Sequence, residues 1–90
     1  MKIVYTKRFH SSLKTIVDYI ASDKPSAADA FVHNLKDQFD LIRDNPHMYR
    51  ASLYRNSDAY RDMIYMGYTT VYKIEDDVIC VLDIFKWMDR

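Results

Sequence analysis

Chain-breaking residues are nearly missing here: the 90 residues hold one glycine and two prolines. Such scarcity excludes collagen-like and low-complexity chains, and it argues for regular elements joined by short connections. Cysteine is also nearly missing. The single Cys80 cannot form an internal disulfide, which suits a reducing compartment. It lies in the apolar run Val78-Ile79-Cys80-Val81-Leu82 and reads as a buried structural thiol, since a catalytic thiol needs an exposed, electropositive setting. No charge excess exists either. Basic and acidic residues number 13 each, so the chain lacks the global positive field of a protein that grips nucleic acid nonspecifically. That balance leaves room for a local patch. No apolar run approaches the roughly 20 residues of a membrane span. The N-terminal Met1-Lys2-Ile3-Val4-Tyr5-Thr6-Lys7 contains no signal-peptide core. The expectation is a cytoplasmic protein with no membrane partner. A Gly-rich phosphate loop, Cys/His metal spacing and a nucleophile elbow are missing too, so neither cofactor nor metal is expected.

What the chain does have is aromatic and aliphatic side chains at regular intervals, with eight Tyr, four Phe and one Trp. One domain over residues 1–90 fits this length, with a modest core. Lys2 to Tyr5 reads as a strand, and Thr6 offers a side-chain oxygen to cap a helix. Phe9, Leu13, Ile16, Val17 and Ile20 then form one stripe of an amphipathic helix over Lys7 to Ser22. Asp23-Lys24-Pro25 breaks and restarts it, with proline tolerated in a first helical turn. Ala28, Phe31, Val32, Leu35, Phe39 and Ile42 trace a second helix to Arg43 or Asp44, stopped by Asn45-Pro46. Two such helices with so short a link pack as an antiparallel hairpin.

His47 to Ser57 shows no period and reads as a loop, with an extended piece at Ala51 to Tyr54. From Ala59 a strand begins, with Tyr60, Ile64 and Met66 on one face and Arg61, Met63 and Tyr65 on the other. Gly67 marks a turn. Tyr68 to Glu75 is a second strand, and Asp76-Asp77 is a tight turn without the glycine such turns prefer. Val78 to Phe85 is a third, apolar on both faces and therefore central. The fold class is α+β: strand, helix, helix and a three-strand meander (β-α-α-β-β-β), with the hairpin covering one face of a mostly antiparallel four-stranded sheet.

The order and spacing of several pieces resemble the RelE/ParE toxin superfamily over nearly the whole chain. These are the helix with Phe9, Leu13, Ile16 and Tyr19-Ile20; Pro25 with Ala27-Ala28, Phe31 and Leu35; Asn45-Pro46-His47-Met48-Tyr49; Tyr60-Arg61; Gly67-Tyr68 before Val71-Tyr72-Lys73-Ile74; Asp77-Val78-Ile79; and a basic tail with Lys86 and Arg90. The resemblance implies the toxin of a bacterial type II toxin–antitoxin pair, silenced as a hetero-oligomer with its cognate antitoxin. It leaves the target open. One branch cleaves messenger RNA, usually in the ribosome; the ParE-like branch poisons DNA gyrase and has no RNase chemistry.

RNA cleavage through the 2′-hydroxyl needs a base, an acid and cations for the phosphorane charge. The resemblance implies Arg61, Lys73, Lys86, Arg90 and His47 as the candidates, with Tyr49 near the last in sequence. Solvated strand-face cations are the plainer reading of each. Asp83, among apolar neighbours, is expected to pair with Arg61 or another cation as architecture. Thr69 and Thr70 stand where the RNase branch often carries a basic residue. The chain as read reaches Arg90 without a C-terminal helix of further catalytic groups, and its charge is balanced. These departures favour the ParE-like reading, in which the protein is not an enzyme. A noncatalytic, nontoxic binding module is the alternative of another class. For the antitoxin or target, Arg50 and Arg55 offer bidentate contacts to carboxylates. The apolar pair Trp87 and Met88 offers uncovered surface, unless Trp87 folds back to complete the core.

Overall fold

The computed structural model describes residues 1–53 and 57–86. Its elements run β1 (Lys2–Tyr5), α1 (Lys7–Asp23), α2 (Pro25–Asp44), β2 (Tyr60–Tyr65), β3 (Tyr68–Glu75) and β4 (Val78–Lys86). The four strands form one sheet in the order β1-β4-β3-β2. The meander is antiparallel throughout, whereas β1 lies parallel to β4, with Ile3 beside Ile79 and Tyr5 beside Val81. The first strand thus closes the sheet against the last, and β4, apolar on both faces, is internal as its sequence requires.

Thr6 controls the passage from β1 into α1. Its hydroxyl oxygen accepts from the Phe9 amide at 3.0 Å, the N-cap bond expected of threonine. The same hydroxyl donates to the Leu82 carbonyl at 2.7 Å. That carbonyl is available because β4 bulges there: Tyr72 faces Val81 while Val71 faces Asp83, leaving Leu82 as the extra residue. Lys24 links the helices with extended backbone, and Pro25 starts α2.

The core lies between the hairpin and one sheet face. Phe9 from α1 and Phe31, Leu35, Phe39 and Ile42 from α2 meet Met63, Tyr72, Ile79, Val81 and Ile84 from the strands. Met63 and Arg61 belong to the face turned toward the helices, so by strand alternation Tyr60, Asp62 and Ile64 point away. Tyr5, Phe9 and Phe39 form an aromatic cluster with ring centroids 5.4–5.8 Å apart. Phe31 packs edge-on against Tyr68 at 5.4 Å.

Beyond α2 the chain returns along the outer edge of β2. Ala51 forms an isolated antiparallel bridge with Arg61, the Asp62 amide donates to the Arg50 carbonyl, and the Ser52 amide donates to the Tyr60 carbonyl. Of the extended piece expected over Ala51 to Tyr54, Ala51 and Ser52 are present as a short edge addition, and Tyr54 lies outside the described residues. One expectation needs correction. Cys80 is only half-buried, because it faces away from the helices next to Val4 and Lys73. Asp83 pairs with a cation as expected, and that cation is Arg8 rather than Arg61: it accepts from Arg8 Nε at 3.1 Å and Ser12 Oγ at 2.7 Å, where the bulge places it against α1.

Candidate functional site

The expected cations divide among separate surroundings. Arg61 is drawn inward, its side chain only 12% exposed. One guanidinium nitrogen donates to the Tyr49 carbonyl at 3.1 Å and the other to Asp58 at 3.3 Å, while its Nε has no partner among the described residues. Beside it the Tyr72 hydroxyl donates to the Pro46 carbonyl at 2.8 Å. The Tyr49 hydroxyl bonds to Gln38 on α2. These contacts staple residues 46–50 to the sheet. Burial pushes the Tyr72 hydroxyl up to about 12, an effect that the nearby Arg61 charge reduces. Burial also raises Tyr49. Neither phenol is poised to give up a proton near neutrality.

Lys73 neighbours Arg61 in the sheet but faces the opposite way, since it pairs with Tyr60 while Arg61 pairs with Tyr72. Its ammonium lies 3.4 Å from Glu75 and 5.4 Å from the centre of the Tyr60 ring. The bond to Glu75 chiefly holds its pKa above the ordinary lysine value. The group therefore stays protonated at neutral pH and serves only as a charge.

Lys86 ends β4 opposite Tyr68, five register positions along β3 from Lys73. At ~3.3 Å per residue that separates the two lysines by roughly 17 Å along the sheet. Lys86 stands instead at the mouth of a groove of about 540 Å³ between α1 and the ends of β3 and β4, with Ser12, Ile16, Tyr19 and Ile84 among its walls. A second groove, of about 250 Å³, runs along the hairpin between Phe9 and Leu13 on α1 and Val32, Leu35 and Phe39 on α2. Apart from His10 and Lys36 at its sides its lining is apolar or aromatic.

His47 and Arg50 are both exposed in the segment after α2. Arg55, Trp87, Met88 and Arg90 lie outside the described residues. The structure thus brings Arg61 close to the Tyr49 backbone, but it does not gather Arg61, Lys73 and Lys86 around one point. Among the described residues, no three His, Cys, Asp or Glu side chains converge as metal ligands would.

Sequence reasoning passed over two features. Asp62 is 1% exposed, with Oδ2 accepting from the Leu53 amide at 2.9 Å. Its neighbours Arg61 and Met63 gave no sign of this, because the segment around residues 50–53 supplies the burial. The other feature is the Arg8–Asp83–Ser12 set, which binds the first turns of α1 to β4. Arg8 and Lys7 in a first helical turn oppose the helix dipole, and that placement is the sequence signal for a carboxylate nearby.

A short strand, a helical hairpin and a meander that closes back on the first strand thus carry basic residues on both sheet faces and an apolar groove on the hairpin. The family model described as ParE toxin of type II toxin–antitoxin system, parDE, matches residues 3–87, and the chain belongs to that family. Among solved structures, the chromosomal ParDE TA system from P. aeruginosa matches with a TM-score of 0.76 at 19% identity, covering 96% of this chain and 95% of that chain. At that identity the likeness is one of fold. No curated protein matches. Among the described residues, no helix is long and apolar enough to cross a membrane.

Proposed function

We propose that this toxin arrests growth through DNA gyrase, as a protein ligand rather than an RNase, and that its cognate antitoxin silences it by covering its apolar surface. The observation that carries the reading is the dispersal of the cations. A 2′-hydroxyl cleavage site requires base, acid and phosphate-binding groups within hydrogen-bonding reach of one phosphodiester. Arg61 is committed to the Tyr49 carbonyl and Asp58. Lys73 is tied to Glu75 on the other face. Lys86 stands at the far end of the sheet. Membership of the ParE family supports the same branch. The hairpin groove, with Val32 41% exposed beside it, is surface of the kind that an antitoxin helix covers.

Purified protein added to gyrase and supercoiled DNA is expected to accumulate linear, protein-linked DNA, with RNA 5′ ends unchanged in cells minutes after induction. New RNA ends inside translated frames, or no trapped gyrase at concentrations that arrest growth, would overturn the proposal. Normal growth on induction would instead identify a nontoxic binding module.

A further inference from the structure

Asp62 is an expensive residue to leave as it stands. Oδ2 is satisfied by the Leu53 amide, but Oδ1 is buried with no hydrogen-bond partner, and among the described residues no ion pair reaches this carboxylate. A buried carboxylate oxygen without a donor costs the domain stability. The residue is nevertheless part of the wall of a cleft of about 210 Å³ that Met48, Arg50 and Ile64 also line. Arg50 contributes its carbonyl to the Asp62 amide and is itself exposed, and among the described residues its guanidinium makes no ion pair with the carboxylate.

Around this point the surface is unusually apolar. Met48 and Ile64 at the cleft are 48% and 40% exposed, and Leu53, whose amide donates to Asp62, is 71% exposed. A buried carboxylate acceptor beside exposed apolar side chains is the anatomy of an interface anchor: the apolar contacts exclude water and the acceptor selects the partner. A metal ion fits poorly, because hard cations take several oxygen ligands and among the described residues no second carboxylate lines this cleft.

We infer that the Asp62 cleft receives an arginine or lysine side chain of the antitoxin, whose stem lies against Met48 and Ile64 and whose N–H donates to Asp62. The inference rests on the family reading that an antitoxin exists, and it adds a contact separate from the hairpin groove. A basic residue satisfies Oδ1 with a charge-assisted bond, and a neighbouring acid on the same segment would meet Arg50.

The test is calorimetric titration of the antitoxin into wild type, Asp62→Asn, Ile64→Lys and Ile64→Glu. Asparagine is isosteric and its carbonyl still accepts from the Leu53 amide, so Asp62→Asn keeps the fold, which its melting temperature checks. A weakening of about 30-fold is expected for Asp62→Asn, in the range for breaking a buried charge pair. Ile64→Lys, which sets a like charge at the entrance, is expected to weaken binding about tenfold more than Ile64→Glu. Wild-type affinity in Asp62→Asn, or equal losses in the two Ile64 variants, overturns the anchor while leaving the antitoxin reading intact. Should Asp62→Asn melt early, the Ile64 pair decides alone. Failure of wild type to bind the antitoxin removes both readings.

Discussion

Tyr72 is wholly buried, yet it keeps a phenol whose proton is bound to the Pro46 carbonyl. Its pKa rises from 10.0 to about 12, mainly because burial disfavours the phenolate. A raised folded-state value gives stability that is complete below pH 10 and is lost as pH climbs toward 12, since the unfolded chain ionises first. That loss is on the order of 2–3 kcal/mol. Urea melts of wild type between pH 9 and 12 should show it. Tyr72→Phe should cost about 1 kcal/mol at neutral pH by freeing the Pro46 carbonyl, and should flatten the alkaline decline. At this scale the sequence told of one carboxylate and not of the other. Asp83 stood out because its neighbours are apolar, and it has the cation partner that this called for, in Arg8, with Ser12 beside it. Asp62, buried by a segment about ten residues earlier in the chain, carries no local mark.

Among the elements, the β2–β3 hairpin shows a conflict between residue and conformation. Tyr65 pairs with Tyr68, leaving Met66-Gly67 as a two-residue turn with φ of +54° and +83°. Positive φ at both positions is the type I′ pattern, which favours Asn-Gly. Methionine is poorly suited to it, because its Cβ crowds the following carbonyl. Met66→Asn should raise stability by about 0.5–1 kcal/mol, read as a higher melting temperature with an unchanged denaturant slope. An unchanged melting temperature would show that strain at Met66 is relieved elsewhere. The helices were legible to within a residue because their periodicity is local, and the central place of β4 was legible because a strand covered on both faces must be apolar on both. The parallel partner of β1 and the bulge at Leu82 were not. Both depend on which strand the chain meets after folding, and no residue near Lys2 or Leu82 encodes that.

The whole molecule balances on a small core. Stability for a domain of this size is about 5–13 kcal/mol, at roughly 0.05–0.15 kcal/mol per residue. Ile79 is fully buried on the internal strand, beside Ile3 on one neighbour and Ile74 on the other. Ile79→Ala should cost 2–5 kcal/mol, a large share of that total. In cells the expected outcome is loss of toxicity with loss of soluble protein, as immunoblots of induced cultures would show. Full toxicity at normal abundance would mean that the core is much deeper than its size suggests. As for the candidate site, its cations were legible as residues but not as a constellation, because strand alternation and register decide which of them share a face.

The pairing of β1 with β4 also sets an order of events during synthesis. The Thr6 hydroxyl and the Leu82 carbonyl that it holds are 76 positions apart, so β1 and this bond wait for β4 to be made, whereas the cap of α1 is local. Contacts this distant in sequence form late and carry the entropy of closing nearly the whole chain. A nascent chain stopped before Val78 has its helices but neither the internal strand nor the seat for β1. The toxin fold is therefore complete only once β4 has been made and β1 has paired with it.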